Sequence, residues 1–169
     1  MASIILYIIK SETYLRTVDG IIAASLKKGP LVYVNASKPY SWMKRHLGEV
    51  GIDESRVFFI DCSGSRADGK PRVEPSNVLF LEGPLNLTSL SIAIGKAIER
   101  VSPNGALFLD SLTVLALYND AGTVSKFANF IFTRLRSLDV SGVILGIEVP
   151  SGTLLIEEIS ALADEVKRV

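Results

Sequence analysis

Ala106-Leu107-Phe108-Leu109-Asp110-Ser111-Leu112-Thr113 is the stretch that decides the fold. Four apolar residues in succession suit a strand buried on both faces, and such strands belong to parallel sheets covered by helices. Asp110 ends the run with a carboxylate where strand gives way to loop. In open α/β sheets ligands bind there, beyond the carboxyl ends of the strands. By itself the string also suits an aspartate that merely caps a turn.

The same grammar repeats on either side. Residues 3–9, 31–35, 57–61 and 143–149 are further short apolar runs rich in β-branched residues, and 78–81 is a shorter one. Between them apolar residues recur at helical spacing. One helix carries Val18, Ile21, Ile22 and Leu26 and ends at Gly29-Pro30, and a second runs from Pro39 through Trp42, Met43 and Leu47 to near Gly51. A third is capped by Asn86 or Thr88 and turns Leu90, Ile94, Ala97, Ile98 and Val101 inward. A fourth, capped by Thr123, carries Val124, Phe127, Ile131, Leu135 and Leu138 on one stripe, with Phe130 and Phe132 off it. That pattern predicts a helix covered on two sides. The last helix spans residues 153–162, and residues 164–169 either extend it or form a short edge strand, the favoured reading. Strand–helix alternation implies right-handed crossovers and a three-layer α/β/α sandwich around a mostly parallel sheet. Residues 62–77 hold Gly64, Asp68, Gly69, Lys70 and Pro71 with almost nothing apolar, and are expected to be an exposed loop.

Bulk properties bound the function. A length of 169 residues suits one domain over 1–169. Apolar residues make up 48% and charged residues 21%, which excludes a disordered chain. The apolar surplus predicts protein partners and a homo-oligomer. Lys and Arg number 18, as do Asp and Glu, so no net field draws the chain to nucleic acid or membrane. No apolar run reaches the length of a membrane span, and the first residues lack the pattern of a secretory leader. Cys62 is the single cysteine and fits a reducing cytoplasm. His46, the single histidine, sits among Lys44, Arg45 and Glu49 and is expected to be a solvated surface residue.

The first strand–helix junction carries the sharper signal. Lys10-Ser11-Glu12-Thr13-Tyr14-Leu15-Arg16-Thr17 falls in the frame of the phosphate-binding G-x-x-x-x-G-K-[ST] loop. Both glycines are replaced, by Lys10 and Leu15, and the lysine by Arg16; the hydroxyl residue Thr17 remains. Together with Asp110-Ser111-Leu112, which resembles a Walker B strand end, this frame is similar to the RecA/KaiC group of P-loop ATPases. Val57-Phe58-Phe59-Ile60-Asp61-Cys62 and Leu162-Ala163-Asp164-Glu165-Val166 resemble stretches of the archaeal KaiC-like branch. The resemblance implies a RecA-type core, assembly into rings or dimers, and a role in regulation or motility. It also implies a vestigial nucleotide site of Arg16, Thr17 and Asp110, with Thr17 and Asp110 as magnesium ligands if ATP binds.

The departures point to lost catalysis. Glycine most easily reaches the turn that aims backbone N–H groups at phosphate. Leu15 is expected to intrude there, and Arg16 keeps the charge without the compact ammonium. The KaiC-like glutamate pair after the second strand is absent from Asn35-Ala36-Ser37-Lys38-Pro39, leaving no group to orient water. The expected function is a non-catalytic, pseudo-ATPase domain working through protein contacts, with no bound cofactor. The alternative is a nucleotide-binding switch or slow ATPase using Arg16, Thr17 and Asp110 with groups from a neighbouring subunit. A receiver-like phosphoacceptor role for Asp61 lacks its acidic pair, since Lys10-Ser11-Glu12 follows the first strand. It also lacks the lysine such a domain carries after its fifth strand, where Val149-Pro150-Ser151 stands instead.

Overall fold

The computed structural model describes residues 1–64, 77–83 and 86–169. Seven strands form one sheet: β1 (Ile4–Ile9), β2 (Leu31–Asn35), β3 (Val57–Asp61), β4 (Val78–Phe80), β5 (Ala106–Asp110), β6 (Ser141–Ile147) and β7 (Glu165–Arg168). Their order is β4-β3-β2-β5-β6-β1-β7, and every pairing is parallel. The sequence led to a mostly parallel sheet; among the described residues it is wholly parallel. Most of residues 62–77, the expected loop, lie outside the described residues.

Among the described residues six α-helices cover the sheet: α1 (Tyr14–Lys28), α2 (Tyr40–Glu49), α3 (Leu87–Val101), α4 (Leu112–Tyr118), α5 (Ala121–Ser137) and α6 (Thr153–Leu162). Side chains alternate across each strand, so the core splits in two. Ile4, Leu6, Val32, Val34, Leu107 and Leu109 meet α3, α5 and α6 on one face. Ile9, Leu31, Tyr33, Phe59 and Phe108 meet α1 and α2 on the other. This is the α/β/α sandwich expected from the strand–helix alternation.

Several boundaries differ from the sequence reading, each for a local reason. α1 starts at Tyr14, inside the phosphate-loop frame rather than after it. The cap of α5 is Asp120, whose carboxylate accepts from Thr123 N–H at 2.9 Å; Thr123 is three positions inside. β6 runs two residues earlier than read, and Glu148 N–H still reaches the Ile9 carbonyl at 2.7 Å before Pro150, which has no N–H, turns the chain away. α4 escaped detection because Leu112, Thr113, Val114, Leu115, Ala116, Leu117 and Tyr118 offer no polar face to set a period. The cap of α3 is Asn86, accepting from Ser89 N–H at 3.0 Å.

β5 begins immediately after Gly105, where space is tightest. A Cβ on Gly105 would stand 2.4 Å from the Val101 carbonyl oxygen and 2.5 Å from Val101 Cβ. Both belong to the end of α3 and neither can rotate away. Gly105→Ala is therefore expected to lower stability by about 2–3 kcal/mol, read as a reduced urea midpoint with unchanged slope. No helix of the described residues is long and apolar enough to cross a membrane.

Candidate functional site

The carboxyl ends of β2 and β5 lie side by side, with Asn35 in register with Asp110. Tyr33 and Phe108 point to the α1/α2 face of the sheet, and strand alternation puts Asn35 and Asp110 on that face too. Asp110 is 1% exposed. Its Oδ2 accepts the Tyr33 hydroxyl at 2.6 Å and also the hydroxyl of Tyr14, which arrives from the start of α1. Tyr33 is held in turn by stacking on Phe108, with centroids 5.1 Å apart. The Lys38 ammonium lies 5.9 Å from the Tyr14 ring centroid and 5.2 Å from that of Trp42.

The electrostatics of this cluster follow from burial. Desolvation pushes the Asp110 carboxyl above the usual carboxylate range, against the two phenol hydrogen bonds and the Lys38 charge that pull it down. Burial, followed by the charge of Asp110, drives both the Tyr14 and Tyr33 hydroxyls upward, so both stay protonated donors. Two acceptors, Asp110 Oδ1 and Asn35 Oδ1, are enclosed without a hydrogen-bond partner. The amide of Asn35 donates to the Lys38 carbonyl at 2.5 Å and fixes the turn that leads to α2.

The frame that resembles a phosphate loop is helical here. Ser11–Thr13 form a 3-10 turn in which Thr13 N–H donates to the Lys10 carbonyl at 3.1 Å and Tyr14 N–H to the Ser11 carbonyl. An anion cradle needs those N–H groups free and converging; here the first of them are spent inside the chain. Arg16 and Leu15 are exposed and Thr17 is half-buried on α1. Leu15, expected to fill the concavity, stands outside it, and Tyr14 does the filling. The residues therefore do not fit a magnesium–nucleotide complex. The carboxylate that would hold the metal is occupied by two phenols, and the backbone that would hold phosphate is coiled. Sequence reasoning missed Tyr14 and Tyr33, which become legible only once β2 is placed beside β5.

Other sequence candidates have structural duties. Ser111 supplies the cap often expected of the aspartate, its Oγ accepting from Val114 N–H at 3.2 Å to start α4, and the Asp110–Ser111 peptide is cis. Asp61 Oδ2 accepts from Tyr40 N–H at 2.8 Å, and its Oδ1 accepts from the Ser63 N–H at 2.9 Å and hydroxyl at 2.6 Å. That carboxylate anchors α2 and a turn. His46 is half-buried rather than solvated, 2.8 Å from Asp19 Oδ1 and stacked on Trp42, so it ties α2 to α1. Cys62 is buried, and burial pushes its thiol up to about 12; it is a packed, unreactive thiol. Among the described residues no three His, Cys, Asp or Glu side chains converge as metal ligands.

A second concavity, of about 390 Å³, opens between α4, the end of β6 and α6. Its walls are mostly apolar, with Leu112, Leu155, Ile156 and Ile159 among them and Thr113 and Ser151 as polar members. Leu117, Tyr118 and Leu154, at 75%, 54% and 62% exposed, are on the same two helices.

Similar proteins place this architecture. The KaiC-like protein PH0186 from the hyperthermophilic archaeon Pyrococcus horikoshii OT3 superposes with a TM-score of 0.59 at 14% identity, over 86% of this chain. This chain spans 61% of that protein's length. The uncharacterised protein PH0321 from Pyrococcus horikoshii, solved in complex with an unknown peptide, superposes with a TM-score of 0.72 at 18% identity, over 98% of this chain and 76% of its own. At such identities the likeness is one of fold, KaiC/RecA-like. No curated protein matches the sequence. A family model does match, over residues 24–168, and by it the chain belongs to DUF7504, a family of unknown function.

Proposed function

We propose that this chain is a non-catalytic, pseudo-ATPase relative of KaiC-like proteins that acts in regulation or assembly through contacts with other proteins. The observation that carries the reading is the closure of Asp110 by Tyr14 and Tyr33. In a nucleotide-binding relative an aspartate at this place faces a metal; here its partners are two phenols of the same chain. Phosphate recognition rests on charge-assisted contacts of about 1.5–3 kcal/mol each, and losing several weakens binding by orders of magnitude. The apolar concavity between α4 and α6 supports contact with protein segments, since exposed apolar surface of this kind marks interaction sites. That the similar PH0321 holds a peptide agrees with this reading.

Isothermal titration with Mg-ATP tests it directly. No heat of binding is expected at millimolar nucleotide, and wild-type and Asp110→Ala protein should release phosphate at the same background rate. A micromolar dissociation constant would overturn the reading. It would favour instead a switch in which Arg16, Thr17 and Asp110 hold Mg-ATP with a neighbouring subunit's groups.

A further inference from the structure

β7 is an edge strand, bonded on one side to β1. Glu165, Val166 and Arg168 are exposed and Lys167 is half-buried. With Asp164 before it, the edge reads Asp164-Glu165-Val166-Lys167-Arg168. The charge is antisymmetric about Val166: two acids before it, two bases after it. Exposed edges in natural proteins are blunted by charges that repel a second strand. This pattern does the reverse, because a strand laid antiparallel on its own copy about Val166 meets opposite charge at each of its four charged positions.

We infer that β7 pairs with β7 of a second copy of this chain, about a two-fold axis passing normal to the sheet through Val166. The inference is independent of whether nucleotide binds. A closed dimer needs a self-complementary patch, and a dyad normal to the sheet makes facing strands antiparallel. In that register Glu165 faces the partner's Lys167, Asp164 faces the partner's Arg168, and Val166 faces its own copy. Facing residues share one face of the sheet, as an antiparallel ladder requires.

The backbone agrees with this pairing. Val169 N–H donates to the Ile8 carbonyl at 3.0 Å, and Glu165 and Lys167 stand in register with Ile5 and Tyr7. By alternation along the strand the N–H and C=O groups of Glu165 and Lys167 therefore face β1, while those of Val166 and Arg168 point away. The proposed register then makes Val166 and its own copy a mutually hydrogen-bonded pair, and Glu165 and the partner's Lys167 a non-hydrogen-bonded pair, in which side chains lie closer.

Neighbouring registers are disfavoured by the same charges. Moving the axis to Lys167 sets lysine against lysine, and moving it to Glu165 sets glutamate against glutamate; like charges directly opposite are destabilising. In the single chain Asp164 already accepts from Ile4 N–H at 2.8 Å and from Arg136 at 3.0 Å, whereas Glu165, Lys167 and Arg168 are held weakly. Lys167 reaches Glu165 along the strand at 3.6 Å, and Arg168 approaches Glu148 only to 4.0 Å. Both are exposed pairs of the kind that contribute little, so exchanging them for cross-strand partners costs little.

Charge reversal tests the register itself. Wild-type protein at tens of micromolar is expected to sediment as a dimer. Glu165→Lys and Lys167→Glu, each alone, place like charges across the axis and are expected to weaken the dimer about tenfold or more, which corresponds to about 1.4 kcal/mol. An equimolar mixture of the two variants makes every facing pair opposite again and is expected to recover the wild-type dimer as a heterodimer. Circular dichroism and thermal midpoints of the variants should match wild type, because the reversed side chains lie on the outer edge. A monomeric wild type would overturn the inference. So would single reversals that dimerise as well as wild type, or a mixture that stays monomeric.

Discussion

Asp110→Ala is expected to lower folding stability by about 3 kcal/mol, while Asp110→Asn is expected to raise it by about 1–2 kcal/mol at neutral pH. The two substitutions remove the same charge and separate what the carboxylate does as an acceptor from what it costs as an ion. Alanine leaves the phenols of Tyr14 and Tyr33 without their acceptor. Tyr33 is wholly buried, and its remaining neighbour for the hydroxyl is Met43 Sδ at 3.9 Å, a weak acceptor. Hydrogen bonds to a charged acceptor contribute about 1.5–3 kcal/mol each, and relief of the buried charge offsets part of that loss. Asparagine keeps one oxygen for the phenols. Its amide replaces Asp110 Oδ1, which now has no partner, on the face that also holds the orphaned Asn35 Oδ1, and so turns one unpartnered acceptor into a donor.

The same pair predicts a pH dependence with a definite sign. Burial raises the Asp110 carboxyl above its free value of 3.8. The stability a raised group contributes is fully present below 3.8 and is lost as pH rises through the raised value. Asparagine suffers no such loss, so its advantage over wild type should grow from pH 4 toward neutrality. Urea midpoints at three pH values would show it. Equal destabilisation by both substitutions at neutral pH would mean that the negative charge itself is needed, as it is where a bound cation faces an aspartate.

How much of this was legible before any coordinates depended on whether the signal was local. Residues 31–35 and 57–61 read as strands because β-branched and aromatic runs bounded by turn residues have few other solutions. Asp110 was legible for the same reason, as a carboxylate ending such a run. Tyr14 and Tyr33 were not. Tyr33 looks like one more apolar position in Leu-Val-Tyr-Val-Asn until the pairing of β2 with β5 turns its hydroxyl toward Asp110. Tyr14 occupies a position where the phosphate-loop frame accepts any residue, so nothing in the frame singled it out. Only the coiling of residues 11–17 brings its ring over the strand ends. The phosphate-loop frame pointed to Leu15 as the intruding side chain, but Leu15 is 38% exposed and it is Tyr14 that reaches Asp110. Long-range register, rather than local preference, decided which neighbour filled the space.

α5 offers the sharpest separation of two residues that the sequence treated alike. Phe132→Ala is expected to cost about 3–5 kcal/mol, the range for emptying a buried phenylalanine site. Phe130→Ala is expected to stay within about 0.5 kcal/mol, as for a surface position. Both rings lie off the stripe of Val124, Phe127, Ile131 and Leu135, and together they suggested a helix covered on two sides. The structure divides them, with Phe132 at 0% exposed and Phe130 at 52%. α5 packs against α3, α4, α6 and β6 at once, so its buried arc is wider than one stripe and takes in Phe132 within the chain. Phe130 points outward beside Ile92 and Arg134, left half open by the described residues. Urea denaturation of the two variants reads the difference directly. A midpoint for Phe130→Ala that falls as far as that for Phe132→Ala would mean α5 is covered on its outer side as well.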